Sequence, residues 1–404
     1  MMRSNEEGAS TGGLTGWPLS QYRKRKLEIQ FTGSGSEYFR IWITNLLLTV
    51  VTLGLYWPFA KARRLHYFYG NTLVDGQALS FHGDPWKMFR GHILLMVLMG
   101  CYSFAGQVSL MGGVVAFLVL CALWPALWRA GLQFRLYNTS WRGLRFGFEA
   151  PLKGAYLAFA PVYLPMIAVV MVSNLLKRPL DVSSQATLAV LGVSLGVALL
   201  LAVALSPWTL TLIKRYQHGG YRYAEQEGEL ALSGGSVYKL ALKAAGLGLL
   251  AVAVVSVVIM VAVALSGARR GDASNPDAAS WLLLLPLFTS LLIWLLMLAI
   301  IHPYFTARFQ NLLWNRTSTQ DLEFTSALTA RSMVKLTLKN TLLTLLTLGL
   351  YRAWATVATA RLRLQGVSVT LDGDLDTWLA RQQTPETAAT GDLAGDFFGI
   401  DMGL

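Results

Sequence analysis

Charge is scarce in this sequence, and scarcest in its longest segments. Charged residues make up 14% of the chain and hydrophobic ones 54%, far from the balance of a soluble domain. Residues 93–123, 154–173, 185–206, 244–265 and 281–301 contain no Asp, Glu, Lys or Arg at all. Ion-coupled transporters and intramembrane enzymes keep an ionisable group at depth because function justifies its cost, so this absence argues against both. Cysteine is nearly missing as well. Cys101 and Cys121 are the whole complement, and both lie in apolar segments. That excludes a disulfide framework and any Cys/His metal pattern. His66, His82 and His92 fall at spacings that fit no zinc site. No Ser/His/Asp or Cys/His arrangement is legible. No enzyme activity, cofactor or metal is expected. The first twenty residues lack an apolar run, so no cleavable signal peptide is expected and the first apolar helix should direct insertion.

What is present is apolar length in blocks, and the blocks are alike. Residues 27–76 open with the alternating strand LEIQF, pass through a helix containing Asn45, and reach TLGLYWPFAKARRLHYFYGNTLVDG. Residues 321–373 open with DLEFT, carry Asn340 in the helix, repeat TLGLY at 347–351, and end in TLDG. Self-similarity of this kind fixes architecture before any other signal. The strand-to-helix opening recurs at 78–92, 144–156 and 229–242. The close recurs as a helix breaker, a basic and aromatic stretch, and a turn. The breakers are Gly54 with Pro58, then Pro125, Pro207 and Pro303, and Gly349 with Ala353 in the last copy. The turns are Asn71-Thr72, Asn138-Thr139, Gly219-Gly220 and Asn315-Arg316-Thr317. Asp75-Gly76 and Asp372-Gly373 suit turns that need positive φ.

Five units follow: 27–77, 78–143, 144–228, 229–320 and 321–382, between a basic disordered tail at 1–26 and an acidic disordered tail at 383–404. The expected fold is mainly α, a polytopic helical membrane protein of five tandem repeats. Its short strands, too small to stand alone in water, should combine into a cytoplasmic sheet or collar. Units two to four have length for two full spans each. In the first unit the uncharged core is only 41–53, well short of the roughly 20 residues a span requires. The first and fifth units are therefore expected as short helical hairpins that dip in and return, or as one tilted helix with an interfacial continuation.

The net charge of +12 is placed by topology. Lys and Arg lie almost entirely in the strand-and-turn segments, and the intervening loops hold only Lys177, Arg178, Arg269 and Arg270. This is the positive-inside pattern. It points to cytoplasmic termini and to contact with the bilayer and its anionic headgroups rather than nucleic acid. Embedded polar candidates are Asn45, Asn340, Gln107, Asn174 and His302.

The string TLGLYWPFAKAR, the NT…DG turn and the strand ending in Phe resemble the YjgN family of bacterial inner-membrane proteins, most strongly over 30–90 and onward to about 380. The resemblance implies a multi-pass protein of the bacterial inner membrane with no assigned activity and no catalytic residues to carry over. The fifth unit departs from the string, with Arg352-Ala353-Trp354 for Trp57-Pro58-Phe59. Two functions fit this chain. The leading one is passive or lipid-linked small-molecule transport through a space between repeats. The other is a non-catalytic membrane scaffold that recruits a partner through its strand-rich cytoplasmic face.

Overall fold

The computed structural model describes residues 24–175, 185–265 and 276–382. Within them the chain alternates short strands and helix pairs. Strand β1 (Lys24–Phe31) leads into helices α1 (Gly35–Val51) and α2 (Trp57–Gly70). Strands β2 (Thr72–Val74) and β3 (Gln77–Phe81) precede α3 (Pro85–Val108) and α4 (Leu110–Tyr137). Then come β4 (Thr139–Trp141), β5 (Leu144–Phe148), α5 (Leu152–Leu175), α6 (Gln185–Gly219), β6 (Tyr221–Tyr223), β7 (Gln226–Glu227) and β8 (Glu229–Leu230). Helix α7 (Gly234–Leu265) is followed by α8 (Pro276–Leu296), a π-helical turn (Met297–Ile301) and α9 (His302–Trp314). Strands β9 (Thr317–Ser318) and β10 (Leu322–Ser326), helices α10 (Ala330–Leu346) and α11 (Arg352–Gln365), β11 (Val367–Asp372) and α12 (Leu375–Gln382) complete it. Among the described residues, five helices are long and apolar enough to cross a membrane: Pro85–Val108, Met111–Tyr137, Leu188–Gly219, Gly234–Ala264 and Leu285–Trp314. Helix α5, expected as a sixth span, has 24 residues, and its apolar stretch among those with described side chains is Leu152–Ile167.

The helix ends follow from local chemistry. Ser34 caps α1 by accepting the Glu37 N–H at 3.2 Å, and Asp84 caps α3 just before its Pro85, each satisfying an amide that has no intrahelical partner. At the other end, Asn71 and Asn138 donate their side-chain N–H to the Tyr67 and Phe134 carbonyls at 2.9 and 2.8 Å. Thr72, Thr139 and Thr317 donate their hydroxyls to Phe68, Arg135 and Leu313. The expected turns are present at Asn71, Asn138 and Asn315-Arg316. Their asparagines also cap the preceding helices, and Thr72, Thr139 and Thr317 already begin strands. Asp75-Gly76 does form a hairpin turn, with φ of 49° and 76°. Asp372-Gly373 instead releases the chain into α12. Lys24 to Lys26, assigned to a disordered tail, belong to β1; residues 383–404 lie outside the described residues.

All strand pairings are antiparallel, in the order β7-β6-β5-β4-β3-β2-β1-β11-β10-β9-β8. The two ends of that order are joined by the chain itself. Gln226 and Glu227 pair with β6, Glu229 and Leu230 reach towards β9, and Gly228 alone lies between. Gly228 has no room for a side chain: a Cβ there would sit 2.4 Å from the His218 carbonyl. Strands β1, β3 and β5 divide their pairing in the same manner, whereas β10 pairs with β11 along its whole length. In β1, residues 24–28 pair with β11 and residues 29–31 with β2. One bond recurs five times. The N–H after each leading strand donates to the carbonyl before its returning strand, at 2.7–3.0 Å: Thr32 to Asn71, His82 to Asn138, Glu149 to Gly220, Ala231 to Arg316 and Ala327 to Gly366.

The sheet's apolar face forms one core. Leu27, Trp141, Tyr223, Val369 and Leu371 converge there with Leu375, Trp378 and Leu379 of α12. Burial pushes the Tyr223 phenol well above its ordinary value, and the protonated hydroxyl donates to the Trp141 carbonyl at 3.0 Å. The opposite face, with Lys26, Glu28 and Gln30, is exposed, the alternation expected of a sheet wet on one side. The helices touch in pairs, and each pair meets the next through α2–α3, α4–α5, α6–α7, α9–α10 and α11–α1.

Candidate functional site

The polar atoms that matter lie where neighbouring helix pairs join. At one offset before each returning strand stands Pro58, Pro125, Pro207, Pro303 or Ala353, and all five are buried. Pro58 and Pro303 sit in the first turn of α2 and α9, while Pro125 and Pro207 lie inside α4 and α6. Further along the same helices, five side chains of four residue types reach the next leading segment. His66 Nδ1 lies 3.4 Å from the Phe81 carbonyl, and Gln133 donates to Phe148 at 3.4 Å. Arg215 donates to Leu232 at 2.6 Å, Asn311 to Leu328 at 2.8 Å and Arg361 to Gly33 at 2.7 Å. The last of these joins the final helix pair to the first. Sequence reasoning missed this series because no two neighbouring members share a functional group; only their common offset marks them.

The two TLGLY strings fold as one turn. Leu53 and Leu348 have φ of 51° and 50°, and Gly54 and Gly349 have 92° and 94°. Gly54 N–H reaches back to Thr49 at 2.8 Å and Gly349 N–H to Thr344 at 2.7 Å, as in the Schellman close of a helix. The Thr52 and Thr347 hydroxyls then accept the Tyr56 and Tyr351 N–H at 3.0 and 2.9 Å. Leu53 and Leu348, at the tips, are 89% and 95% exposed. The string is thus a helix–turn–helix device.

Asn45 and Asn340 occupy equivalent places inside these hairpins. Asn45 donates to the Ala60 carbonyl at 3.3 Å and Asn340 to the Ala355 carbonyl at 3.4 Å, so each ties its helix to the returning one. In both, Oδ1 is buried with no partner. The remaining embedded candidates are not brought together with them. Gln107 is exposed near the end of α3, His302 is exposed at the start of α9, and Asn174 lies on α5 with its side chain outside the described set. Among the described residues no group of His, Cys, Asp or Glu is placed to hold a metal ion.

Two cavities open beside these joints. One, of about 600 Å³, lies between α1, α2 and the start of α3, and is lined by Arg40, Thr44, Arg63, His66, Ile41 and Phe81 among others. The second, of about 440 Å³, lies where α5, α6 and α7 meet and is almost wholly apolar, with Pro161, Pro165, Leu205, Pro207, Val237 and Phe305.

A family profile described as "Bacterial protein of unknown function (DUF898)" matches residues 26–397. The chain is 26% identical to the inner membrane protein YjgN of Salmonella typhimurium (strain LT2) over 369 residues, covering 86% of this chain and 89% of that one. It is 31% identical to the inner membrane protein YjgN of Escherichia coli O157:H7 over 142 residues, 34% of each chain, and to that of strain K12 over the same extent. No solved structure matches the chain at a significant level.

Proposed function

Because the chain belongs to the DUF898 family of bacterial proteins of unknown function, and its YjgN relatives are inner membrane proteins, we propose that it is a multi-pass inner-membrane protein whose five strand–helix pair–strand repeats form a ring. The strand collar and both termini lie on the cytoplasmic side, and the membrane part passes a lipid or a lipid-linked small molecule. The repeats are supported by the five equivalent backbone bonds and the five equivalent joints. The orientation is supported by the basic residues, which gather at the sheet end.

One observation favours lipid over an aqueous path. Helix α6 exposes Leu188, Val190, Val193, Leu195, Val197, Leu199, Leu200 and Val203, and at 100° per residue these positions cover an arc of about 220°, leaving one face, with the buried Ala198, to its neighbour α5. A helix packed along one face and apolar over the rest meets hydrocarbon over most of its surface. A water-filled passage would favour charged or strongly polar linings, and residues 185–206 carry no charge. The protein acts by providing a path and carries out no bond chemistry.

The test is reconstitution into liposomes containing a headgroup-labelled fluorescent phospholipid, with an impermeant reductant added outside. The protein should make inner-leaflet label accessible far faster than in empty vesicles. Exchange no faster than in empty vesicles would remove the transport reading and leave the non-catalytic scaffold, whose strand-rich face recruits a partner.

A further inference from the structure

The 600 Å³ cavity combines two features rarely found together on this helix surface. Arg40 of α1 and Arg63 of α2 both line it, together with His66, above an apolar floor that includes Ile41, Ala62 and Phe81. No carboxylate is among its lining residues, and neither arginine makes an ion pair among the described residues. Arg63 rests over the Tyr56 ring, 5.7 Å from its centre, which positions the guanidinium without neutralising it. Gly83 at the rim keeps the floor in place, since a Cβ there would meet the Phe81 ring at 2.4 Å.

Depth narrows the ligand. The charged outer face of the sheet belongs in water. At about 1.5 Å of rise per residue, Arg40 and Arg63 lie roughly 8 and 12 Å along their helices from the strand ends. The polar zone of a bilayer adds about 5–8 Å on each side of the hydrocarbon. The two guanidinium groups therefore stand at the boundary between phosphates and acyl chains, and Ile41 and Phe81 offer the apolar contact that an adjoining chain needs. Arginine suits phosphate because its planar fork pairs with two oxygens at once.

We infer that this cavity binds a phosphate group carried by an amphiphile, with the anion between Arg40 and Arg63 and the attached chain against the Ile41–Phe81 floor. The site rests on the proposed lipid role for its purpose, but its occupancy is measured without any flux. Arg90, Lys239 and Lys335 take Arg40's place in other units and are exposed, so they supply a control of equal charge at equal depth.

The experiment uses full-length protein in phosphatidylcholine nanodiscs doped with phosphatidylglycerol, and native mass spectrometry counts the retained phosphatidylglycerol. Arg40→Gln with Arg63→Gln should reduce the preference for phosphatidylglycerol by about thirtyfold, the effect of two basic residues near an anionic lipid. Lys239→Gln with Lys335→Gln should change it less than about twofold, because neither lysine lines the cavity and an exposed charge away from the bound headgroup is screened. Failure of millimolar inorganic phosphate to displace the lipid identifies a lipid headgroup; displacement, with phosphate retained instead, identifies a soluble phosphate ligand at the same arginines. Both arginines are exposed, so folding should survive, and Arg63→Gln alone serves if the double variant fails. A folded variant with wild-type preference, or a control that loses as much, overturns the site. Wild-type protein with no preference for phosphatidylglycerol but with lipid exchange intact removes the site and leaves the path. Wild-type protein that holds phosphatidylglycerol without exchanging it does the reverse.

Discussion

Trp378→Ala should be among the most damaging single changes in the chain, although it lies outside every apolar run. The indole is 1% exposed. It stacks on Tyr223 with ring centres 5.7 Å apart, and its Nε1 donates to Asp321 Oδ2 at 2.9 Å. Gln226 holds that carboxylate from the other side, donating to Oδ2 at 2.9 Å and accepting the Asp321 N–H at 3.2 Å. A buried Trp hides about 200–250 Å², worth ~5–6 kcal/mol at about 25 cal/mol per Å², and this is an upper bound because the unfolded chain is already partly compact. Core aromatic-to-Ala changes cost about 3–5 kcal/mol. Trp378→Phe keeps most of the area and loses only the bond to a charged acceptor, about 1.5–3 kcal/mol. Thermal unfolding of detergent-solubilised protein, followed by size-exclusion fluorescence, should therefore rank wild type, Phe and Ala in that order. Hydrogen exchange should show β6, β10 and β11 losing protection together in the Ala variant. Ala melting with wild type, or Phe as damaging as Ala, would refute the account of α12 as the centre of the sheet core.

Three further outcomes follow from the joints and the topology. Arg361→Ala removes the bond that ties the last helix pair to the first; it should cost about 1.5–3 kcal/mol, with Lys restoring part, read as the midpoint of thermal unfolding and as new proteolysis near Gly33. Asn45→Leu should cost no more than about 1 kcal/mol in the same melt, because the lost bond is long and an unpaired acceptor leaves with it, whereas Asn45→Asp, which buries a charge, should be several times worse. In a variant lacking Cys101 and Cys121, single cysteines at Ser183 and Ser274 should react with an impermeant thiol reagent in intact cells and one at Ser318 should not; labelling at Ser318 alone reverses the proposed orientation.

The sequence displayed its helices and its leading strands, and hid most of the returning ones. TLGLY, the spaced prolines and the Asn-Thr caps were legible because each performs a local backbone task that few residues can do. The returning strands β2, β4, β6 and β9 have two or three residues each, too few to show a period of two. They exist because partners on both sides complete their bonds. Helix α12 was missed for a related reason: LDTWLARQ is short and weakly apolar, and only the core that receives Leu375 and Trp378 makes it a helix worth keeping. The joints at His66, Gln133, Arg215, Asn311 and Arg361 share geometry without identity.

The two short hairpins are neighbours, since α11 packs on α1, and this shapes any path through the membrane. With 17 residues, α1 and α10 each reach about 26 Å, less than the roughly 30 Å hydrocarbon core plus the polar zone they must first cross. Helices α4, α6 and α7, at 28, 35 and 32 residues, clear that thickness with length to spare. On the proposed orientation the wall is low on one side, with the exposed tips Leu53 and Leu348 at its rim within the bilayer. On the proposed reading, a lipid tail enters above these tips, beyond the reach of water. A polarity-sensitive fluorophore on a cysteine at Leu348 should report hydrocarbon and be quenched by lipids brominated deep in the acyl chain. The same label at Ser318 should report water. Equal quenching at both positions, or an aqueous signal from Leu348, would mean that the short hairpins do not enter the membrane, and the lateral route would fall with them.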